Sequence, residues 1–227
     1  MQITNKNILL DIQDLCCGYG GKPIIDNFNL QVSRGDIVAI TGRNGSGKST
    51  LLRAIYQLCL INHGTINYKG TSLIGKTPEQ IRMLGIAWFM QKNSIFSRLK
   101  VKENLELSLN GMNRIQKQAK KEEIIRNFPI IAKWLEKPAG LLSGGQRQQL
   151  SLAMLFAQDA DLWLLDEPTA GLDHEKTGLF ISSIQHYLEK REENTPGLII
   201  VEHKSGVINI LAKRSIILNN FNHENIN

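Results

Sequence analysis

The stretch Gly42-Arg43-Asn44-Gly45-Ser46-Gly47-Lys48-Ser49 constrains this chain more than any other. It fits the pattern GxxxxGK[ST], in which glycines let the backbone turn its N–H groups inward onto phosphate oxygens. Its flanks agree with that reading. Ile37-Val38-Ala39-Ile40 before it is compact and β-branched, like a buried strand. After it, Leu51, Leu52, Ile55 and Leu58 recur at helical spacing and predict a helix over 48–60. A helix N-terminus at the end of such a loop favours negative charge. Gly42, Asn44, Gly45, Ser46 and Gly47 would form the cradle, and Lys48 would reach the β- and γ-phosphates. The Ser49 hydroxyl would ligate Mg²⁺, and Thr50 would touch the α-phosphate.

Elsewhere the pattern alternates between strand and helix. Residues 9–12 and 28–32 read as strands around a turn cluster at 17–23; 64–68 and 85–90 read as strands around a short helix at 78–84. Residues 101–135 are helical in pattern. Buried-strand candidates follow at 162–165, 198–201 and 216–218, with a helix over 175–189 between the first two. The expectation is an α/β fold with a mostly parallel sheet interrupted by a helical insertion, and a polar tail over 219–227.

Length and composition limit the alternatives. A chain of 227 residues suits one large domain, or a domain with a subdomain, and 42% hydrophobic residues exclude wholesale disorder. No apolar run approaches the roughly 18 residues of a membrane span, and Met1-Gln2-Ile3-Thr4-Asn5 does not read as a secretion signal. Three cysteines, two of them adjacent, make no disulfide framework and point to a reducing cytosol. The net charge of +6 raises nucleic-acid binding, but the basic residues are scattered. The one dense run, 117–121, stands beside Glu122 and Glu123 as a solvated helix face, so no nucleic-acid partner is expected.

Two further stretches carry chemistry. Leu162-Trp163-Leu164-Leu165 ends in Asp166 and Glu167, and ligands bind at strand C-termini of parallel sheets. One carboxylate suits Mg²⁺ and the other an attacking water; an apolar strand followed by two acids is also a common structural feature. Leu142-Ser143-Gly144-Gly145-Gln146 opens a helix predicted over 146–158. On its own it is either a second anion site or a helix N-cap made by Ser143.

Taken in order, these motifs resemble those of ATP-binding cassette (ABC) ATPases over nearly the whole chain. Residues 42–50 match Walker A, 142–146 the ABC signature, 162–166 Walker B with Glu167 after it, and 168–173 the run through the D-loop. Gln91 matches the Q-loop glutamine, His203 the switch histidine and Tyr19 the aromatic that stacks on adenine. The resemblance implies a P-loop NTPase (RecA-like) core with an N-terminal antiparallel β subdomain and an inserted α-helical subdomain. The expected division is 1–92 and 159–227 for the core and β subdomain, and 93–158 for the helical subdomain.

It also implies a mechanism. Two cassettes, identical or related, would dimerise head to tail, each ATP lying between one Walker A and the partner's Ser143, Gly145 and Gln146. Glu167 would polarise the attacking water, His203 would hold the γ-phosphate and Lys48 would neutralise charge. Ser49, Asp166 and Gln91 would attend Mg²⁺. Gln91 would pass its movement through the loop 92–98 to transmembrane permease subunits, which would hold the chain at the inner face of the membrane.

Gly85-Ile86-Ala87 leading to Gln91, Ile95-Phe96-Ser97-Arg98-Leu99, Val101-Lys102-Glu103-Asn104-Leu105 and Ala139-Gly140-Leu141-Leu142-Ser143 are similar to the cassettes of branched-chain amino-acid and urea importers. Val201-Glu202-His203 is shared with lipopolysaccharide-export cassettes, so export is the alternative, with a soluble non-transport ABC ATPase as another. A P-loop kinase or GTPase does not account for residues 142–146, and no Asn-Lys-x-Asp motif is present. The chain departs from the family at Met90 and Ala160, where proline is usual, at Met154, where arginine is common, and at Lys204, where an acid usually follows the histidine. The usual closing hairpin and helix are not expected after residue 218.

Overall fold

A computed structural model describes residues 8–91, 95–191 and 194–219, and the backbone of 222–226. The chain opens with β1 (Ile8–Gly18), β2 (Ile25–Ser33), β3 (Ile37–Thr41), α1 (Lys48–Ile55), β4 (Leu60–Tyr68) and β5 (Thr71–Ser72). It continues through α2 (Pro78–Met83), β6 (Ile86–Phe89), α3 (Val101–Ser108), α4 (Arg114–Asn127), α5 (Pro129–Ala132), α6 (Gly144–Ala157) and β7 (Leu162–Asp166). The remaining elements are α7 (His174–Glu189), β8 (Gly197–Val201), α8 (Ser205–Leu211), β9 (Arg214–Asn219) and β10 (Asn222–Ile226).

Two sheets result. One is antiparallel in the order β2-β1-β4-β5; the other runs β10-β9-β3-β8-β7-β6, parallel except for β10. The mixed α/β architecture expected from the sequence is therefore present. The parallel strands are apolar at successive positions because both of their faces are covered. Val38, Ile40, Leu162, Leu164, Ile199 and Val201 pack with α1 and the antiparallel sheet. Ala39, Trp163, Leu165, Leu198 and Ile200 pack on the other face against α3 to α8. Inside that second core Phe156, Trp163 and Tyr187 form a three-ring cluster, Phe156 stacking on Trp163 and Tyr187 at ring-centroid distances of 5.1 and 3.8 Å.

Several expected boundaries move. The helix after the glycine loop stops at Ile55 because Gln57 takes a left-handed φ of 56°. The Leu58 amide then donates to the Arg53 carbonyl and the Gln57 amide to that of Ala54, the paired bonds of a Schellman stop. Glycine usually takes that position, so no sequence signal marked it. Cys17 and Gly18 belong to β1 and not to the turn. The run 117–121 is no simple solvated face: Lys120 is buried in ion pairs with Glu123 and Asp159, and Lys121 pairs with Glu106. The expectation of no closing hairpin after residue 218 is corrected: within the polar tail, residues 222–226 pair antiparallel with β9. An antiparallel edge strand needs no apolar run, which is why composition hid it.

Candidate active site

Four neighbouring parallel strands, β3, β8, β7 and β6, deliver their C-terminal ends to one rim of the sheet. From that rim come the glycine loop after β3, His203 after β8, Asp166 and Glu167 at β7, and Gln91 after β6. An open pocket of about 790 Å³ is lined there by Asn44, Gly45, Gly47, Lys48, Ser49, Thr50, Gln91, Glu167 and His203, with Ile24 from the bend before β2.

The loop's shape depends on its glycines. Gly42 sits at φ 139°, where a Cβ would lie 2.4 Å from the Leu218 carbonyl oxygen. Gly47, at φ 98°, caps α1 with no side chain of its own, and a Cβ there would press on Ile24. Lys48 is buried and its ammonium donates to the carbonyls of Gly42 and Arg43 at 3.0 and 2.8 Å. Burial pushes the Lys48 pKa down against the pull of Glu167 and Asp166. Ser46 Oγ is buried with no hydrogen-bond partner. Ser46 itself does not line the pocket, and the fit to a phosphate group rests on Lys48 and on the N-terminus of α1, both of which do.

The residues assigned to Mg²⁺ also converge. The Ser49 hydroxyl donates to Asp166 Oδ1 at 3.0 Å. Burial raises the Asp166 pKa, with the Ser49 hydrogen bond working against it. A hydroxyl, a carboxylate and the nearby Gln91 amide make an all-oxygen donor set of the kind a hard divalent cation takes. Glu167 is held on both sides: Gln91 Nε2 donates to Oε2 at 2.5 Å, and His203 Nε2 meets Oε1 at 3.2 Å. Its backbone is strained into a left-handed φ of 46°, while its amide donates to the Val201 carbonyl. Strain of that kind concentrates at functional sites.

Other expected site residues stand apart. Ser143 is the N-cap of α6; its hydroxyl accepts from the Gln146 amide at 3.4 Å, and Gln146 Oε1 accepts from the Ser143 amide at 2.9 Å. The helix-cap alternative is thus realised. Ser143, Gly145 and Gln146 line a separate cleft between α6 and α7 and do not line the pocket of Lys48 and Ser49. Tyr19 is half exposed outside that pocket's lining, its hydroxyl accepting from Arg53 on α1 at 2.8 Å.

A family model for ABC transporters matches residues 25–170. The chain belongs to the ABC transporter family. Its sequence is similar to the probable branched-chain amino acid transport ATP-binding protein LivF of Archaeoglobus fulgidus, 30% identical over 83% of this chain and 78% of that one. The high-affinity branched-chain amino acid transport ATP-binding protein BraG of Pseudomonas aeruginosa is 29% identical over 93% of this chain and 89% of its own. The fold superimposes on an ATP-binding subunit of an ABC transporter with a TM-score of 0.83, at 23% identity, over 96% of this chain and 90% of that one.

This ABC cassette contains connections that motif reading missed. Glu202 is buried and accepts from Thr169 Oγ1 at 2.7 Å and from the His203 and Lys204 amides. Lys204, a departure from the family, donates to the carbonyls of Thr169 and Leu172 and to the Thr177 hydroxyl. Gln148 on α6 donates to the carbonyls of Pro168 and Ala170. Helix α6, the turn after β7 and His203 are therefore tied together through the side chains of Gln148, Thr169 and Glu202. Of the loop 92–98, residues 92–94 lie outside the described residues.

Proposed function

We propose that this cassette is a Mg²⁺-dependent ATPase that powers a membrane transporter as a head-to-tail dimer around two ATP molecules. One observation carries the reading: Lys48, Ser49, Asp166, Glu167, His203 and Gln91 meet on one rim of the parallel sheet. Lys48, now bonded to loop carbonyls, would exchange them for the β- and γ-phosphates. Glu167 would orient and polarise the attacking water, and His203 would hold the γ-phosphate. Tyr19 would turn from Arg53 onto the adenine. Ser49 and Asp166 would hold Mg²⁺, with Gln91 beside it, and the ion would supply charge neutralisation at the phosphates.

The separation of Ser143 from the phosphate loop supports the dimer, because a second copy would supply the missing side of the site. Closure would then favour ATP over ADP through differential affinity, and hydrolysis would release it. In this reading 93–158 acts as a helical subdomain that moves against the core of 1–92 and 159–227. Among the described residues no helix is long and apolar enough to cross a membrane, so separate permease subunits would hold the chain at the inner face. The names of the LivF and BraG relatives favour amino-acid import.

The test is ATP turnover by wild type and Lys48→Ala with Mg²⁺ and with EDTA. Hydrolysis confined to wild type with Mg²⁺ is expected; turnover by Lys48→Ala at the parent rate would refute the assignment. Affinity purification from native membranes should recover permease subunits and show which second cassette accompanies the chain.

A further inference from the structure

The antiparallel sheet carries a second cluster of metal-ligating side chains, none of which lines the pocket of Lys48 and Ser49. Cys16 on β1 is directly opposite His63 on β4. On the other side, Cys17 pairs with Ile25 and Leu15 with Phe28, which places Asp26 of β2 alongside Cys16. Pairing is irregular on both sides at this level, and Asn27 and Gly64 take left-handed φ of 51° and 91°. Such bulges re-aim side chains. Here the Cys16 sulfur, an Asp26 carboxylate oxygen and a His63 ring nitrogen come within 4.8 Å of one another.

We propose that Cys16, Asp26 and His63 form a zinc-type site that staples strands β2, β1 and β4 together. Thiolate, imidazole and carboxylate are the donors Zn²⁺ takes, and they differ from the all-oxygen set around Ser49 and Asp166. Tetrahedral Zn²⁺ with ordinary bond lengths needs ligand atoms about 3.3–3.8 Å apart. His63 Nε2 and Asp26 Oδ1 are already 4.0 Å apart, and both side chains are more than half exposed, so they can close onto the buried Cys16. Three protein ligands leave the fourth position to water. Burial and the Asp26 carboxylate hold the Cys16 thiol protonated, and a bound dication would reverse that preference. The staple would lie beside Gly18, where β1 ends and leads to Tyr19.

The experiment is Co²⁺ titration of the full, nucleotide-free chain under reducing conditions with excess Mg²⁺, followed by Zn²⁺ displacement. One equivalent should give the visible bands of tetrahedral Co²⁺ and a near-ultraviolet thiolate-to-cobalt band, both abolished by Zn²⁺. Cys16→Ser should remove the thiolate band, and His63→Asn, at an exposed position, should weaken binding at least about tenfold. Cys59→Ser should leave the spectrum unchanged. Absence of tetrahedral bands in wild type, or a thiolate band that survives Cys16→Ser, would overturn the site.

Discussion

Glu167 Oε1 lies 3.2 Å from His203 Nε2, and the glutamate backbone adopts a left-handed φ of 46° to present it. With Gln91 on the other carboxylate oxygen, Glu167 is oriented by groups from the two strands that flank its own. Glu167→Gln keeps the side chain's shape and removes its basicity. Hydrolysis should fall by about 10²–10⁴-fold, the usual contribution of a general base, with MgATP affinity retained. Single-turnover kinetics beside equilibrium nucleotide binding separates the two; a parent rate in Glu167→Gln would take that residue out of the reaction.

Asp166 opposes the stability of the nucleotide-free fold. Its pKa is raised by burial, so the charged form is disfavoured in the folded state relative to the unfolded one. Asp166→Asn should therefore melt higher than wild type at neutral pH and lose ATPase activity. The stability difference should be full above the folded-state pKa. It should shrink as pH falls through that value, because protonation neutralises Asp166 itself. Thermal melts across acid to neutral pH check the sign.

Thr169, after β7, and Glu202, after β8, are joined by a buried 2.7 Å hydrogen bond. Thr169→Val keeps the volume but leaves a buried carboxylate oxygen without that donor. A loss of about 1–3 kcal/mol is expected, read as a lower urea midpoint at unchanged slope. An unchanged midpoint would mean that the bond contributes nothing.

Ser143 allows two roles to be separated. Ser143→Ala removes the cap and should destabilise the chain by about 1 kcal/mol, whereas Ser143→Asn keeps a good N-cap. If Ser143 also faces a partner's ATP, both variants should lose hydrolysis while only alanine lowers the melting temperature. Full activity in Ser143→Asn would leave the residue with capping alone.

The sequence exposed the parts of this molecule that rest on short-range rules. The glycine loop, the buried strand before it and the acids after Leu165 were legible because backbone turning and two-sided burial restrict residue type. Hidden features depended on tertiary context. Gln57 stops α1 in a conformation glycine normally takes, β10 is an edge strand of polar residues, and α8 drew no expectation although Val207 and Leu211 are buried on it. At the site, the motif residues are found by pattern, but the bonds of Glu202 and Lys204 are not. Their partners are Thr169, Leu172 and Thr177, some thirty positions earlier, and only folding brings them together.

The central claim is that ATP is held between two copies, and molecular mass in solution tests it most directly. Light scattering of Glu167→Gln, a chain of 25.5 kDa, should show a doubling of mass on adding MgATP and no change with MgADP. Adding Ser143→Arg to Glu167→Gln should abolish the doubling while leaving ATP bound. A Glu167→Gln protein that stays at monomer mass with ATP bound, or a dimer indifferent to Ser143→Arg, would contradict the account.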